Sequence, residues 1–98
     1  MNFEWDPDKD RINKKIHGIS FSTAKFVFND IERWERYDSF HSEDEDRWQT
    51  IGLVSKVLFV VYTEQGETIR IISARIADEN ERKVYNGERN IKGWTKAN

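Results

Sequence analysis

The sequence predicts an α+β domain with two N-terminal helices, a four-stranded antiparallel sheet and a C-terminal helix. Four segments rich in β-branched and aromatic residues follow one another through the middle of the chain and predict strands. Capping residues, a proline and glycines flank this block and predict the helices. Because short connections join the strands, we expect a meander with antiparallel neighbours. We also expect the helices to cover one sheet face and to leave the other partly open.

The first helix is predicted to begin at Pro7, with Asp6 as its N-cap, and to end at Gly18. Three isoleucines recur at helical spacing and are expected to face the core: Ile12, Ile16 and Ile19. A second helix is predicted from a cap at Ser22 to about Phe28. Two aromatic residues near this cap are expected to form a hydrophobic staple: Phe21 and Phe26.

The strands are predicted at residues 34–40, 48–54, 56–63 and 68–77. The last strand is apolar on both parities, which favours a central position in the sheet, although Arg70, Ser73 and Arg75 interrupt it. Strand alternation puts Ser73 and Arg75 on one face and Arg70 on the other, so without a bulge they cannot share a site. Asp78 then caps the last helix, and Glu81 completes a capping box.

Length and composition predict one domain at residues 1–87, followed by a tail at residues 88–98 that carries Trp94. The chain has no cysteine, which excludes disulfides and thiolate metal sites and fits a reducing cytoplasm. It shows neither an export leader nor an apolar run of about 20 residues, so we expect no membrane association. The net charge of −2 counts mildly against nucleic-acid binding, but basic residues cluster late in the chain.

Several motifs occur together and in order along residues 3–85. They are Phe3-Glu4-Trp5-Asp6 with Lys9 and Asn13, His17-Gly18-Ile19 with Phe21, Arg47 ahead of Ile51-Gly52, Val60-Val61-Tyr62-Thr63, and Arg70-Ile71-Ile72-Ser73-Ala74-Arg75 followed by Ala77, Glu81-Arg82 and Tyr85. This set resembles the signature of the BrnT toxins. One position departs from it, because Ile16 stands where that family usually has a lysine.

The resemblance implies the toxin half of a bacterial type II toxin–antitoxin pair, with a RelE-like fold. It implies an endoribonuclease that cuts RNA without a metal or other cofactor. It also implies a ribbon-helix-helix antitoxin as partner and a pair of toxins in the complex. The departure at Ile16 leaves an alternative open, in which the chain binds an antitoxin without cleaving RNA.

Cleavage of RNA without a metal requires proton transfer and cations that stabilise the charged phosphorane. Histidine ordinarily changes its protonation near neutral pH, and the arginine fork matches phosphate oxygens. The residues that we expect to carry catalysis are His17, Arg75, Arg82 and Tyr85. Those that we expect to bind RNA are Lys9, Asn13, Arg47, Arg70 and Ser73.

Structural roles remain open for several of these residues. His17 could bond the last carbonyls of its helix, Asn13 could bond backbone, and Tyr85 could pack on the sheet. Arg70 could pair with a carboxylate, and Glu81 is explained by its capping box. Two features of the acidic loop are interpreted as solvated surface: His41 and the block at residues 43–46.

Overall fold

The computed structural model describes residues 1–89 and 91–98, which form one six-stranded sheet with three α-helices. In chain order the elements are β1 (Asn2–Glu4), α1 (Pro7–His17), α2 (Phe21–Ala24), a 3₁₀ segment (Lys25–Asn29), β2 (Trp34–Tyr37), β3 (Trp48–Val54), β4 (Lys56–Gln65), β5 (Thr68–Ile76), α3 (Glu79–Tyr85) and β6 (Thr95–Lys96). The strand order is β1-β5-β4-β3-β2-β6. The α+β class is therefore confirmed.

The four central strands, β2 to β5, form the predicted antiparallel meander. The prediction of a sheet with four antiparallel strands is nevertheless wrong, because the sheet is mixed and has two further strands. β1 pairs with β5 in parallel, and β6 pairs with β2 antiparallel. Both extra strands are only two or three residues long, which is too short for a recognisable alternation.

The helix α1 has the predicted ends but not the predicted buried face. The Asp6 carboxylate accepts the Asp8 N–H at 2.8 Å, and Gly18 ends the helix with φ 73°. Ile12 and Ile16 are 50% and 67% exposed, so the expectation that they face the core is wrong. The buried residue of α1 is Asn13 instead, because polar bonds rather than an apolar stripe hold this helix to β5.

The second helix begins earlier than predicted. Ser20 is its N-cap, and the Ser20 hydroxyl accepts the Thr23 N–H at 3.2 Å. Phe21 therefore lies inside the helix and is fully buried, whereas Phe26 is exposed on the 3₁₀ segment. The predicted staple between these two aromatic residues is wrong for this reason.

Both faces of the sheet carry apolar clusters. On one face, α2 and the 3₁₀ segment pack on the sheet around Phe21 and Tyr62. On the other face, α3 and the C-terminal segment pack around Phe59, Val84 and Trp94. The expectation that all helices cover one face is therefore wrong, because α3 packs on the second face.

A β-bulge in β5 decides which side chains share that second face. Val61 of β4 lies opposite Ser73, but the next residue, Tyr62, lies opposite Ile71, so Ile72 is the extra residue. The bulge shifts the alternation by one residue. Arg70 consequently lies opposite Thr63, on the same face as Ser73 and Arg75. The parity prediction that placed Arg70 on the opposite face is wrong.

Candidate functional site

A hollow of about 360 Å³ lies on the open part of the second sheet face. Its walls come from β3, β4, β5 and the loop between β2 and β3. The polar residues that line it are Asp38, His41, Arg47, Gln49, Ser73 and Arg75. Three of the sequence-predicted site residues are thus brought together here: Arg47, Ser73 and Arg75.

Arg75 is held rigidly at one side of the hollow. Its Nη1 and Nη2 donate to Oε1 and Oε2 of Glu81 at 2.8 and 2.9 Å. Its guanidinium lies over the Phe59 ring, 4.1 Å from the ring centroid. The hydrogen bonds from Arg75 to Glu81 raise the pKa of Arg75, so this side chain is a fixed positive charge. A fixed guanidinium can bind an anion without first losing side-chain freedom.

Asp38 and His41 form a carboxylate–histidine pair at the opposite side of the hollow. The His41 Nδ1 lies 3.1 Å from both carboxylate oxygens of Asp38. Asp38 is 3% exposed, whereas the His41 ring is largely in solvent. A buried carboxylate bonded to one ring nitrogen orients the imidazole and directs the other nitrogen outward. The His41 Nδ1 therefore has a carboxylate partner that the sequence did not reveal, while its exposed ring agrees with the interpretation of His41 as a solvated loop residue.

Asp38 is itself part of a longer chain of bonds. Burial alone would raise the pKa of the Asp38 carboxyl, but hydrogen bonds from Gln49 and His41 outweigh burial and hold this pKa below its ordinary value. Gln49 in turn accepts from Nε and Nη2 of Arg36 at 3.0 and 2.7 Å. The Arg36 guanidinium lies 4.4 Å from the Trp94 ring centroid. This chain links the C-terminal segment to the imidazole.

The loop that carries His41 is closed by Ser42. The Ser42 hydroxyl donates to the Asp38 carbonyl at 2.6 Å and accepts the Arg47 N–H at 2.9 Å. The Asp38 N–H donates to the Arg47 carbonyl at 2.9 Å. Among the residues that the structure describes, the buried Nε of Arg47 has no hydrogen-bond partner. Arg47 thus lines the hollow, while its Nε is buried behind the wall without a partner.

Residues predicted on the first helix lie elsewhere. His17 lines a different hollow, beside Leu58 and Ile76, and Lys9 is exposed on α1. The Asn13 amide forms hydrogen bonds with backbone groups. Its Nδ2 donates to the Ala74 carbonyl at 2.8 Å and to the Ile19 carbonyl at 2.9 Å. Its Oδ1 accepts the Ala74 N–H at 3.1 Å. The structure therefore displays the backbone-bonding role that the sequence left open for Asn13.

Tyr85 makes a short structural bond. Its hydroxyl donates to the Asp30 carboxylate at 2.5 Å and so ties α3 to the end of the 3₁₀ segment. Burial, this bond and the charges of Asp30 and Glu32 raise the pKa of the Tyr85 hydroxyl. A hydroxyl that holds its proton this firmly is a poor acid.

Two predicted arginines also have protein partners. Arg82 Nη1 donates to the Ala77 carbonyl at 2.7 Å, and Arg70 Nη1 lies 3.6 Å from Oε1 of Glu4. Neither lines the hollow described above. Arg70 nevertheless shares its sheet face because of the bulge.

The electrostatic surroundings of the pair are asymmetric. Glu43, Asp44 and Glu45 line a second hollow, of about 290 Å³, on one side of His41. Arg75 lies in the hollow on the other side. Within residues 1–89 and 91–98, no three side chains of the types His, Cys, Asp or Glu are grouped closely enough to hold a metal ion.

Sequence reasoning did not pair Asp38 with His41, because the two residues lie where a strand runs into an irregular loop. Such a loop has no periodicity to interpret. The usable signal is an aspartate followed three residues later by a histidine, with Ser42 next to it as a loop-closing hydroxyl.

The arrangement can move a proton next to a bound anion. An oriented imidazole and two arginines on one open face are the groups that a phosphodiester needs for attack by a neighbouring hydroxyl.

None of the helices in the described part of the chain has the length and apolar character needed to cross a membrane.

No similar sequence is found among the curated proteins. A family model does match residues 5–81 of the 98-residue chain, and its description is "Ribonuclease toxin, BrnT, of type II toxin-antitoxin system". The match covers every element from α1 to the start of α3 and includes all the lining residues named above. The chain therefore belongs to the BrnT family of type II toxin–antitoxin ribonuclease toxins.

Proposed function

We propose that this protein is a growth-inhibiting endoribonuclease that cuts RNA without a metal ion, using the hollow on the second sheet face. The observation that carries the proposal is the oriented Asp38–His41 pair in one hollow with Arg47 and Arg75. The base and the cations that the reaction requires have side chains there, and solvent supplies the proton for the leaving oxygen.

In this mechanism His41 is the base. Its ring nitrogen away from Asp38 takes the proton from a ribose 2′-hydroxyl, and the 2′-oxygen forms a bond to the adjacent phosphorus. The bond from phosphorus to the 5′-oxygen breaks, and the leaving oxygen takes a proton from solvent, which reaches the open hollow. The products are a 2′,3′-cyclic phosphate and a free 5′-hydroxyl.

Arg75 and Arg47 stabilise the extra negative charge that develops on the phosphate. Arg75 is suited to this role because Glu81 and Phe59 already fix its position. Asp38 touches no reacting atom and acts as a positioning residue for His41. Ser73, which lines the same hollow, is expected to hydrogen-bond a phosphate oxygen.

The test compares His17, which the sequence favours as the catalytic histidine, with His41, which the structure favours. We expect His41→Asn to lower cleavage of a labelled RNA by about 100-fold or more, because general acid–base groups contribute on the order of 10²–10⁴. Arg75→Ala should lower it comparably, whereas Arg11→Ala, which removes an exposed arginine of α1, should have little effect. His17→Asn measures the role predicted for His17 in the same assay. All reactions contain a chelator of divalent metals.

Three results would contradict this proposal. The first is cleavage by His41→Asn at the rate of the unmodified protein. The second is loss of cleavage in the chelator with recovery on addition of magnesium. The third is normal growth of bacteria that express the unmodified protein, together with intact RNA in the assay.

We also propose, from family membership, a ribbon-helix-helix antitoxin as partner, two toxins in the complex, and action in the cytoplasm. Family membership supports an antitoxin and an RNA substrate in general terms. Co-expression with the product of an adjacent reading frame, followed by mass measurement of the purified complex, tests the partner and the toxin pair together.

A second candidate function is a binding module that has lost cleavage. It is favoured by Ile16, which presents an apolar side chain at the position where the family pattern leads us to expect a lysine, and is 67% exposed. Ile12, one turn earlier, is also half exposed, so the two form an apolar strip suited to protein contact. A stable antitoxin complex with no cleavage by the free toxin would favour this function, and cleavage abolished by His41→Asn would exclude it.

A further inference from the structure

Phe40 lies in the turn between Asp38 and His41 with 85% of its surface exposed. A single exposed apolar residue is common on protein surfaces and means little by itself. Its position is the informative feature, because the ring borders hollows on both sides of the Asp38–His41 pair. One of them contains Arg47, and the other contains Lys92.

The backbone around Phe40 is fixed although its ring is free. The Phe40 N–H donates to Oδ1 of Asp38 at 3.2 Å, and the Ser42 hydroxyl donates to the Asp38 carbonyl at 2.6 Å. The turn thus presents the ring from a defined place next to His41. An exposed aromatic ring whose backbone is held next to a histidine offers a surface on which a planar ligand can stack.

The charges around Phe40 indicate which of the two hollows a nucleic-acid backbone follows. The hollow on one side of Phe40 is lined by three carboxylates, from Glu43, Asp44 and Glu45, and by one cation, Arg47, so its net charge is negative and repels phosphate. The hollow on its other side contains Arg36 and Lys92, which attract it. Phe40 does not line the hollow of Arg75, but it lines the hollow that contains Lys92, so a strand that continues from His41 toward Lys92 would pass its ring.

We propose that Phe40 stacks on the nucleobase next to the scissile phosphate and thereby selects single-stranded RNA. The proposal rests on the proposed ribonuclease function, because it assumes that RNA occupies the hollow. Stacking on an aromatic ring requires a base that is not paired and stacked in a duplex, so single strands bind and duplexes do not.

The experiment measures binding by fluorescence anisotropy with labelled, uncleavable 2′-O-methyl RNA of mixed sequence, single-stranded or annealed to its complement. We expect Phe40→Ala to weaken binding of the single strand by roughly 5- to 150-fold, the effect of losing one base stack. Phe40→Trp should restore it. Phe26→Ala removes another exposed ring, on the 3₁₀ segment, and should leave binding within about twofold of the unmodified protein. Circular dichroism of each variant checks the fold.

The outcomes separate this proposal from the ribonuclease proposal. Equal binding of the single strand by Phe40→Ala and by the unmodified protein overturns the stacking role. If cleavage still depends on His41 in that case, the ribonuclease proposal stands. A duplex bound as tightly as a single strand also overturns it. If Phe40→Ala weakens antitoxin binding but leaves RNA binding unchanged, the ring contacts protein instead. Failure of the unmodified protein both to bind and to cut RNA overturns both proposals.

Discussion

Two aspartates, Asp30 and Asp38, have carboxyl groups whose ionisation the fold changes. Burial would raise the pKa of each carboxyl, but hydrogen bonds outweigh it, chiefly from Tyr85 for Asp30 and from Gln49 and His41 for Asp38. Each pKa is therefore lower in the folded chain than its ordinary value of 3.8. One carboxylate joins α3 to the 3₁₀ segment, and the other orients His41.

The depressed pKa values predict how stability depends on pH. Between the folded and ordinary pKa, the unfolded chain binds more protons, so the free energy of unfolding rises with pH. The contribution of each aspartate is complete above about pH 4 and is lost as pH falls through its folded pKa. Urea unfolding at a series of pH values from about 7 to about 2.5 measures it.

Asp30→Asn is the control for this dependence. It removes one titrating group, so its stability should fall less steeply in acid than that of the unmodified chain. It should also be less stable near neutral pH, because the amide is a weaker acceptor for the Tyr85 hydroxyl. Identical acid profiles for the two proteins would contradict the role assigned to Asp30.

For single residues, the sequence predicts which side chains lie together better on regular strands than in loops. Ser73 and Arg75 could be paired on one face because strand alternation is a simple rule. Asp38 and His41 could not, since their contact depends on a loop closed by Ser42. Arg70 was misplaced because a bulge changes the alternation and leaves no trace in composition.

Among the elements, α1 shows how one polar side chain can replace a row of apolar contacts. The Asn13 amide bonds both the N–H and the carbonyl of Ala74, the pair of groups that a neighbouring strand would otherwise bond. The same amide bonds the Ile19 carbonyl and so fixes the turn after the helix. Helix, turn and strand are thereby joined at one buried residue.

Asn13→Ala is expected to destabilise the fold by about 1–3 kcal/mol or more, because it leaves buried backbone groups of β5 without partners. Urea unfolding gives the change in the free energy of unfolding. Lys14→Ala, an exposed change on the same helix, should stay within about 0.5 kcal/mol of the unmodified chain. A loss for Asn13→Ala no larger than for Lys14→Ala would show that the amide is not what holds α1.

Element bounds follow from sequence where local chemistry sets them. The ends of α1, the whole of β3 and the capping box of α3 are confirmed, because proline, glycine and capping side chains act within a few residues. The strands β1 and β6 could not be predicted, since each exists through pairing with a distant strand. The buried face of α1 was mispredicted because its contacts with β5 are polar.

In the whole molecule, the C-terminal segment completes the second sheet face. Trp94 is 5% exposed and packs edge-to-face on Phe59, with ring centroids 6.5 Å apart. β6 then pairs with β2. Trp94 also lies against Arg36, which begins the chain of bonds to His41. The segment therefore contributes both to stability and to the position of the imidazole.

Trp94→Ala is expected to destabilise the protein by about 3–5 kcal/mol, the usual cost of truncating a buried tryptophan. Lys92→Ala, an exposed change in the same segment, should stay within about 0.5 kcal/mol of the unmodified protein. Urea unfolding measures both. A small loss for Trp94→Ala would mean that the segment rests on the sheet without stabilising it.

The polar bonds of Asn13 also bear on how this sheet can meet another chain. Exposed strand edges invite a strand from a second molecule, which leads to aggregation or to binding by strand addition. Here the outer strands, β1 and β6, have three and two residues, and Asn13 occupies the edge of β5 beyond β1. A partner strand would find few consecutive backbone groups free to pair. We therefore expect the antitoxin to bind through side chains, and the sheet to resist growth into fibres.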